Sequence, residues 1–167
     1  QPERNTSTEA GIGWQGTDAG LQAMLFHNRV QNLIVPRFTG TVAGRGQYVF
    51  DNIDRARLQG LELEARQKLA TASAGTWQLD ANYTYLDATD GNGARLEKRP
   101  RHLLGLQVGW QQGPWQASVR AEHHGGQQIA PATVGQPLQP LPDLTRVSAQ
   151  VTRQLTPVLS VSLGVDN

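Results

Sequence analysis
Four basic residues, Arg37, Arg45, Arg95 and Lys98, stand in polar connections where an arriving anion would meet them. No acid lies between Arg37 and Arg45, whereas Arg95, Lys98, Arg99 and Arg101 share a loop with Asp90 and Glu97. Guanidinium groups suit anionic ligands by charge and by stacking on flat faces. Arg99 and Arg101 open a strand and read more simply as solvated charges or phosphate contacts at a lipid surface. A second set, Glu62, Glu64, Arg66, Lys68, Asp80, Arg120 and Glu122, recurs at alternate positions. The pair Glu62/Glu64 raises general acid–base catalysis. No histidine or hydroxyl nucleophile accompanies it, so no catalytic residue and no enzyme activity are expected. His123-His124 raises a metal, but adjacent strand residues point to opposite faces and do not readily chelate one ion. Asp87 to Gly93 has some oxygen ligands of a calcium loop without the EF-hand spacing, and works equally as a tight turn. Neither a metal nor a cofactor is expected.

The elements that must position these residues are strands. Leu159, Val161, Leu163 and Val165 alternate with Ser160, Ser162, Gly164 and Asp166, and Leu61, Leu63 and Ala65 alternate with Glu62, Glu64 and Arg66. Period-2 alternation of this kind gives a strand with one apolar and one wet face. The same texture predicts eight strands, near 8–14, 19–33, 55–70, 76–87, 101–111, 115–124, 143–154 and 158–166. Long connections are expected at Val35–Gly46, Ala88–Arg99 and Gly125–Pro142, alternating with short turns. Trp14, Trp77, Trp110 and Trp115 all lie beside the short turns, on the apolar parity, as one ring of an aromatic girdle at a membrane–water interface would. Arg153, His27 and Arg29 break the apolar parity only near strand ends, where a charge facing lipid costs close to nothing. The nine prolines are expected in turns, loops and the lead-in, leaving the hydrogen-bonded ladders intact.

Composition is compatible with this reading. The 167 residues carry a formal charge of +1, which argues against nucleic-acid binding by bulk electrostatics. No apolar run approaches the roughly 20 residues of a transmembrane helix. Cysteine is absent, so disulfide frameworks and thiolate metal sites are excluded. Gln1 opens on polar residues with no signal peptide, so the amino terminus is expected upstream.

Five motifs carry a family resemblance. Pro2, Glu3, Ser7, Glu9 and Gly11 resemble the PE-x-S-x-E-x-G strand opening of TonB-dependent outer-membrane receptors. Asn52, Ala56, Gly60 and Glu62 are similar to that family's N-x-x-x-A-x-x-x-G-x-E strand, and Asn82 to Ala88 to its NYTYLDA strand end. Arg99-Pro-Arg-His102 resembles RPxH, and Leu155 to Asn167 the LTxxLSLxxGVxN stretch before the last strand.

The resemblance implies an all-β fold, an antiparallel transmembrane β-barrel segment contributing about eight strands to a 22-stranded barrel. Residues 1–167 would be the carboxy-terminal portion, strands 14 to 21, with the plug domain, its TonB box and the last strand outside the chain. A complete eight-stranded barrel is the structural rival; its interior would have to be packed, whereas Gly11, Gly13, Gly105 and Gly109 beside Glu62 and Glu64 suit a wide wet lumen. The implied task is TonB-dependent import of a ferric siderophore, with a catecholate favoured by the basic loops. A cobalamin or haem receptor, or a non-transporting structural or adhesive barrel, is the alternative. Arg37, Arg45, Arg95 and Lys98 would contact the ligand, and the alternating charges would face the lumen and plug. Implied partners are the ligand, outer-membrane lipid and lipopolysaccharide, and the TonB complex, in the bacterial outer membrane; no nucleic acid is expected.

Overall fold
A computed structural model describes residues 2–131 and 136–167, with the backbone alone at 35–38 and 51–54. Its strands are β1 (Arg4–Gln15), β2 (Ala19–Val42), β3 (Arg45–Thr71), β4 (Gly75–Asp90), β5 (His102–Gln112), β6 (Trp115–Gly125), β7 (Gln128–Ile129), β8 (Gln139–Pro140), β9 (Leu144–Thr156) and β10 (Leu159–Asp166). Eight form one antiparallel sheet in the order β1-β2-β3-β4-β5-β6-β9-β10, so each lies beside the next of the eight in the chain, with β7 and β8 in the connection between β6 and β9. Strands β1 and β10 are its edges and do not pair with each other, which sets aside the closed eight-stranded barrel.

Directly paired residues share a face, so the registers sort the side chains. Leu63, Tyr83 and Leu104 lie in one cross-strand row, Ala65, Ala81, Leu106, Ala121 and Val147 in a second, and Val108, Val119, Ala149 and Val165 in a third. These rows make an apolar face that nothing covers: Leu106 is 42% exposed, Val119 49% and Leu163 74%. A soluble antiparallel sheet packs its apolar side on a core, and an uncovered face this wide marks a surface made for lipid or a partner.

Two expectations about the connections need correction. Val35–Gly46 is not a loop, because β2 and β3 remain paired to Val42 and Arg45. Ala43 and Gly44 close the hairpin with φ of 52° and 75°, the doubly positive pattern of a twist-matched two-residue turn. The β-formers Val42, Tyr48, Val49 and Phe50 suit the ladder despite Gly40 and Gly46. Pro36 therefore lies inside β2, against the expectation that every proline avoids strands. Pairing with β1 ends at Gln31, so Pro36 sits where β2 has a partner on one side alone and a missing N–H is tolerated. Likewise the connection after β6 contains the β7–β8 pair, with Pro140 in β8. Short turns follow β1, β3, β5 and β9 at one end of the sheet; the long hairpin and the connections 91–101 and 126–143 gather at the other.

Candidate functional site
The alternating charges all fall on the polar face. Arg66 pairs across with Asp80, Asp80 with Gln107, Gln107 with Arg120, and Arg120 with Ser148. One row along, Glu64 meets Asn82, Asn82 meets Gly105, Gly105 meets Glu122, and Glu122 meets Arg146. Glu62 stands opposite Thr84 and Lys68 opposite Gln78. Arg120 Nη2 donates to Glu122 Oε1 at 2.6 Å, and Gln78 Nε2 to Asp80 Oδ2 at 2.9 Å. The result is a grid of opposite charges and amides, each exposed pair worth under about 1 kcal/mol. Such a surface stays hydrated and offers polar contacts to whatever fills the space above it.

At the loop end the same face turns apolar, which the sequence reading missed. Val30, Ala56, Ala88 and Leu96 form a buried cluster with Leu33, Leu58 and Leu86 packed against it. The available signal was parity: Ala56 and Leu58 share the parity of Glu62, and Leu86 and Ala88 that of Thr84. Leu96 comes from the β4–β5 connection, which turns back to run antiparallel beside the end of β4, with Arg95 in a bridge with Thr89. Asp90 Oδ1 accepts from the backbone N–H groups of Asn92 and Ala94, both at 2.9 Å, and Leu96 N–H donates to Ala88 O at 2.9 Å. Asp90 thus acts as a turn former.

The two long connections interlock. Arg95 Nη2 donates to Gly126 O at 3.0 Å, Lys98 N–H to Gln128 O at 2.7 Å, and Ala130 N–H to Glu97 Oε2 at 3.1 Å. Asp143 Oδ1 accepts from Gly126 N–H at 3.0 Å. Burial pushes the Arg95 guanidinium below its ordinary value, and neighbouring Arg101 acts in the same direction. Replacing Arg95 with alanine is expected to loosen both connections by about 1.5–3 kcal/mol, the range for a charged hydrogen bond. Limited proteolysis of the 126–143 connection would then run about ten- to a hundredfold faster, and an unchanged rate would mean that Arg95 does not hold it.

Of the four basic residues proposed for ligand contact, Arg45 is set at the hairpin tip, away from the connection that carries Arg95 and Lys98. Arg45 lies at the tip of the β2–β3 hairpin opposite Val42 and is exposed. Arg37 lies outside the residues whose side chains are described. Arg95 is engaged by Gly126, and Lys98 is exposed at a left-handed backbone position with φ of 56°. His123 and His124 take opposite faces, opposite Leu104 and Leu103. Among the described residues no group of three or more His, Cys, Asp or Glu could hold a metal.

The four tryptophans lie on the apolar face at the short-turn end. Trp77 pairs with Trp110, with ring centroids 6.2 Å apart, and Trp110 Nε1 donates to Ala74 O at 2.9 Å. Trp14 pairs with Leu21, and Arg153 lies over the Trp115 ring at 5.0 Å, which accounts for an arginine on this face.

Comparison with known proteins decides the family. The model of the TonB dependent receptor-like beta-barrel matches residues 1–167. The chain belongs to the TonB-dependent receptor β-barrel family. Among solved structures, the barrel is similar to the copper transporter OprC, with a TM-score of 0.79 and 22% identity over 100% of this chain and 26% of that one. It is similar also to the ferric enterobactin receptor PfeA of Pseudomonas aeruginosa, with a TM-score of 0.74 and 22% identity over 99% of this chain and 25% of that one. The ferric-catecholate import receptor Fiu of E. coli gives 0.71 and 21% over 100% and 23%. The chain thus spans about a quarter of the length of these structures, and no curated protein matches it. Several small or aromatic residues of the motifs have structural reasons in this receptor barrel. Ala56 and Ala88 are buried, Gly60 lies beneath the Phe26 ring, and Tyr83 Oη is 2.8 Å from His102 Nδ1.

Proposed function
We propose that this chain is part of an outer-membrane receptor that imports a ferric siderophore in a TonB-dependent manner, with a catecholate complex as the favoured ligand. The observation that carries this reading is the family match over every residue, joined to likeness with receptors named for ferric enterobactin and ferric catecholate. The apolar face meets lipid, the tryptophan end lies at the periplasmic interface, and the interlocked connections face outward. Glu62, Glu64, Arg66, Lys68, Asp80, Arg120 and Glu122 line the lumen and contact the plug. Arg45, exposed at the hairpin tip, and Lys98 are the described cations available to a ferric catecholate, which carries net negative charge.

Uptake of radiolabelled ferric catecholate by cells with and without the gene, each with and without the proton-motive force, tests this. Gene-dependent uptake that collapses without the force is expected. In the full-length receptor, Arg45→Ala is expected to raise the half-saturating ligand concentration about three- to tenfold, the loss of one charged contact. Uptake of copper or of a pyoverdine-type complex in place of the catecholate would transfer the substrate to the chemistry of OprC or of the pyoverdine receptor FpvA, both of similar fold.

A further inference from the structure
Across β4 the polar face changes character. On β3 the successive polar-face residues Glu62, Glu64, Arg66 and Lys68 are all charged, whereas the residues that share their rows on β5 are Leu103, Gly105, Gln107 and Gly109. The border runs along β4, where Asp80 stands between Arg66 and Gln107, and Gln78 between Lys68 and Gly109. Beyond it one cross-strand row reads Gly109, Ser118, Gln150 and Gly164. The next row toward the short turns holds amides and hydroxyls, with Thr152 Oγ1 and Ser162 Oγ 2.8 Å apart. Neither row carries a charge. On the loop side of them Arg120 donates twice to Glu122 Oε1, at 3.0 Å and 2.6 Å, and is thereby neutralised.

This uncharged sector is also recessed. A Cβ added to Gly109 would find its nearest neighbour, the Gln78 carbonyl oxygen, at 3.9 Å. A hollow of about 240 Å³ opens there, rimmed by Gln78, Gln111, Gln116 and Thr152. A second, of about 390 Å³, lies at Gly164 beside Gln107 and Ser148. Ser118 and Gln150 line both hollows, so the two join into one trough crossing β5, β6, β9 and β10.

A fixed charge facing a moving ion either traps it or repels it, and passage needs contacts that are weak and many. Amides and hydroxyls both donate and accept, so they replace a hydration shell piece by piece without holding the ion. A wall of alternating charges suits the opposite task, holding a partner in one place by many ion pairs. We infer that the imported complex passes down the lumen along β5, β6, β9 and β10, through the trough floored by Gly109, Ser118 and Gly164, while the charged wall of β3 and β4 keeps the plug in place. The inference rests on the import function proposed above. Small side chains serve the passage as neutrality does, because a long one at position 118 would fill the space that the trough leaves beside the plug.

The test uses the full-length receptor in cells and separates binding from import. Surface binding of radiolabelled ferric catecholate is measured without the proton-motive force, and uptake with it. Ser118→Arg is expected to bind within about twofold of wild type and to import at least about tenfold more slowly, the pattern of a barrier placed after binding. Ser118→Asn, polar and uncharged, should import as wild type does. So should Gln22→Arg, on the same face but beside Glu64 in the charged sector. Heat-modifiable electrophoretic mobility confirms that each variant is folded. Undiminished uptake by folded Ser118→Arg, or an equal loss in Gln22→Arg, overturns the passage. Uptake through Ser118→Arg that no longer needs the force marks the trough as a seat for the plug and overturns it likewise. The same cells are assayed with copper and with ferric pyoverdine. Wild type that carries one of these in place of the catecholate corrects the substrate, and the passage is then read on the species carried; wild type that imports none of the three ends the import reading and the passage together.

Discussion

Gly60→Val is expected to prevent assembly of the barrel. Gly60 sits mid-strand in β3, paired on one side with Phe26 and on the other with Leu86. A Cβ there would overlap the Tyr85 carbonyl oxygen and stand 2.7 Å from Phe26 Cζ. The ring can rotate away, but the carbonyl is backbone, so β3 and β4 must separate or shift. Overpacking against side chains costs about 1–3 kcal/mol, and a backbone clash within a ladder belongs at or above the top of that range. Alanine alone should do much of the damage, and adding Phe26→Ala should not restore Gly60→Ala because the carbonyl remains. Gly13→Ala and Gly109→Ala serve as controls, since a Cβ at either finds its nearest backbone oxygen at 3.7 Å or 3.9 Å. Heat-modifiable mobility and protease resistance of the full-length receptor read the result. If Gly60→Val folds as well as Gly13→Ala, the close approach of β3, β4 and the Phe26 ring is wrong.

Adjacent positions in β6 should respond oppositely to the same charge. Val119 belongs to the apolar row with Val108 and Ala149, while Ser118 belongs to the polar row with Gly109 and Gln150. Val119 lies near the middle of β6, so with the apolar face in lipid, Val119→Arg places a guanidinium near the bilayer midplane. It should destabilise the barrel by about 2–4 kcal/mol. Ser118→Arg puts the same group into a hydrated grid and should cost less than about 1 kcal/mol. Reversible unfolding of the full-length receptor in bilayers or vesicles gives both numbers. Equal costs would remove the assignment of one face to lipid and the other to water.

Much of this was legible in the sequence because the side-chain period of a strand is 2. Once Leu61, Leu63 and Ala65 are separated from Glu62, Glu64 and Arg66, the faces follow without knowledge of any partner strand. Short turns likewise announce themselves through residues such as Gly113-Pro114. Turn chemistry misled at 35–46, where proline and glycines suggested a loop and a self-paired ladder prevailed. It also hid the place of Leu96 in the buried cluster, because an apolar residue in a polar loop has no period to betray it.

The sequence by itself determined the class of the protein: strands with one wet and one greasy face, tryptophans at one end, and motifs in family order. These are properties of residue type and local spacing, which survive without any tertiary contact. Tertiary structure alone decided what lies beside what. It put Arg29 opposite Arg57, turned Arg95 from a free cation into the link between two connections, and left β1 and β10 unpaired as edges. Such relations join residues tens of positions apart, and a one-residue slip of β2 against β3 would by itself part Arg29 from Arg57.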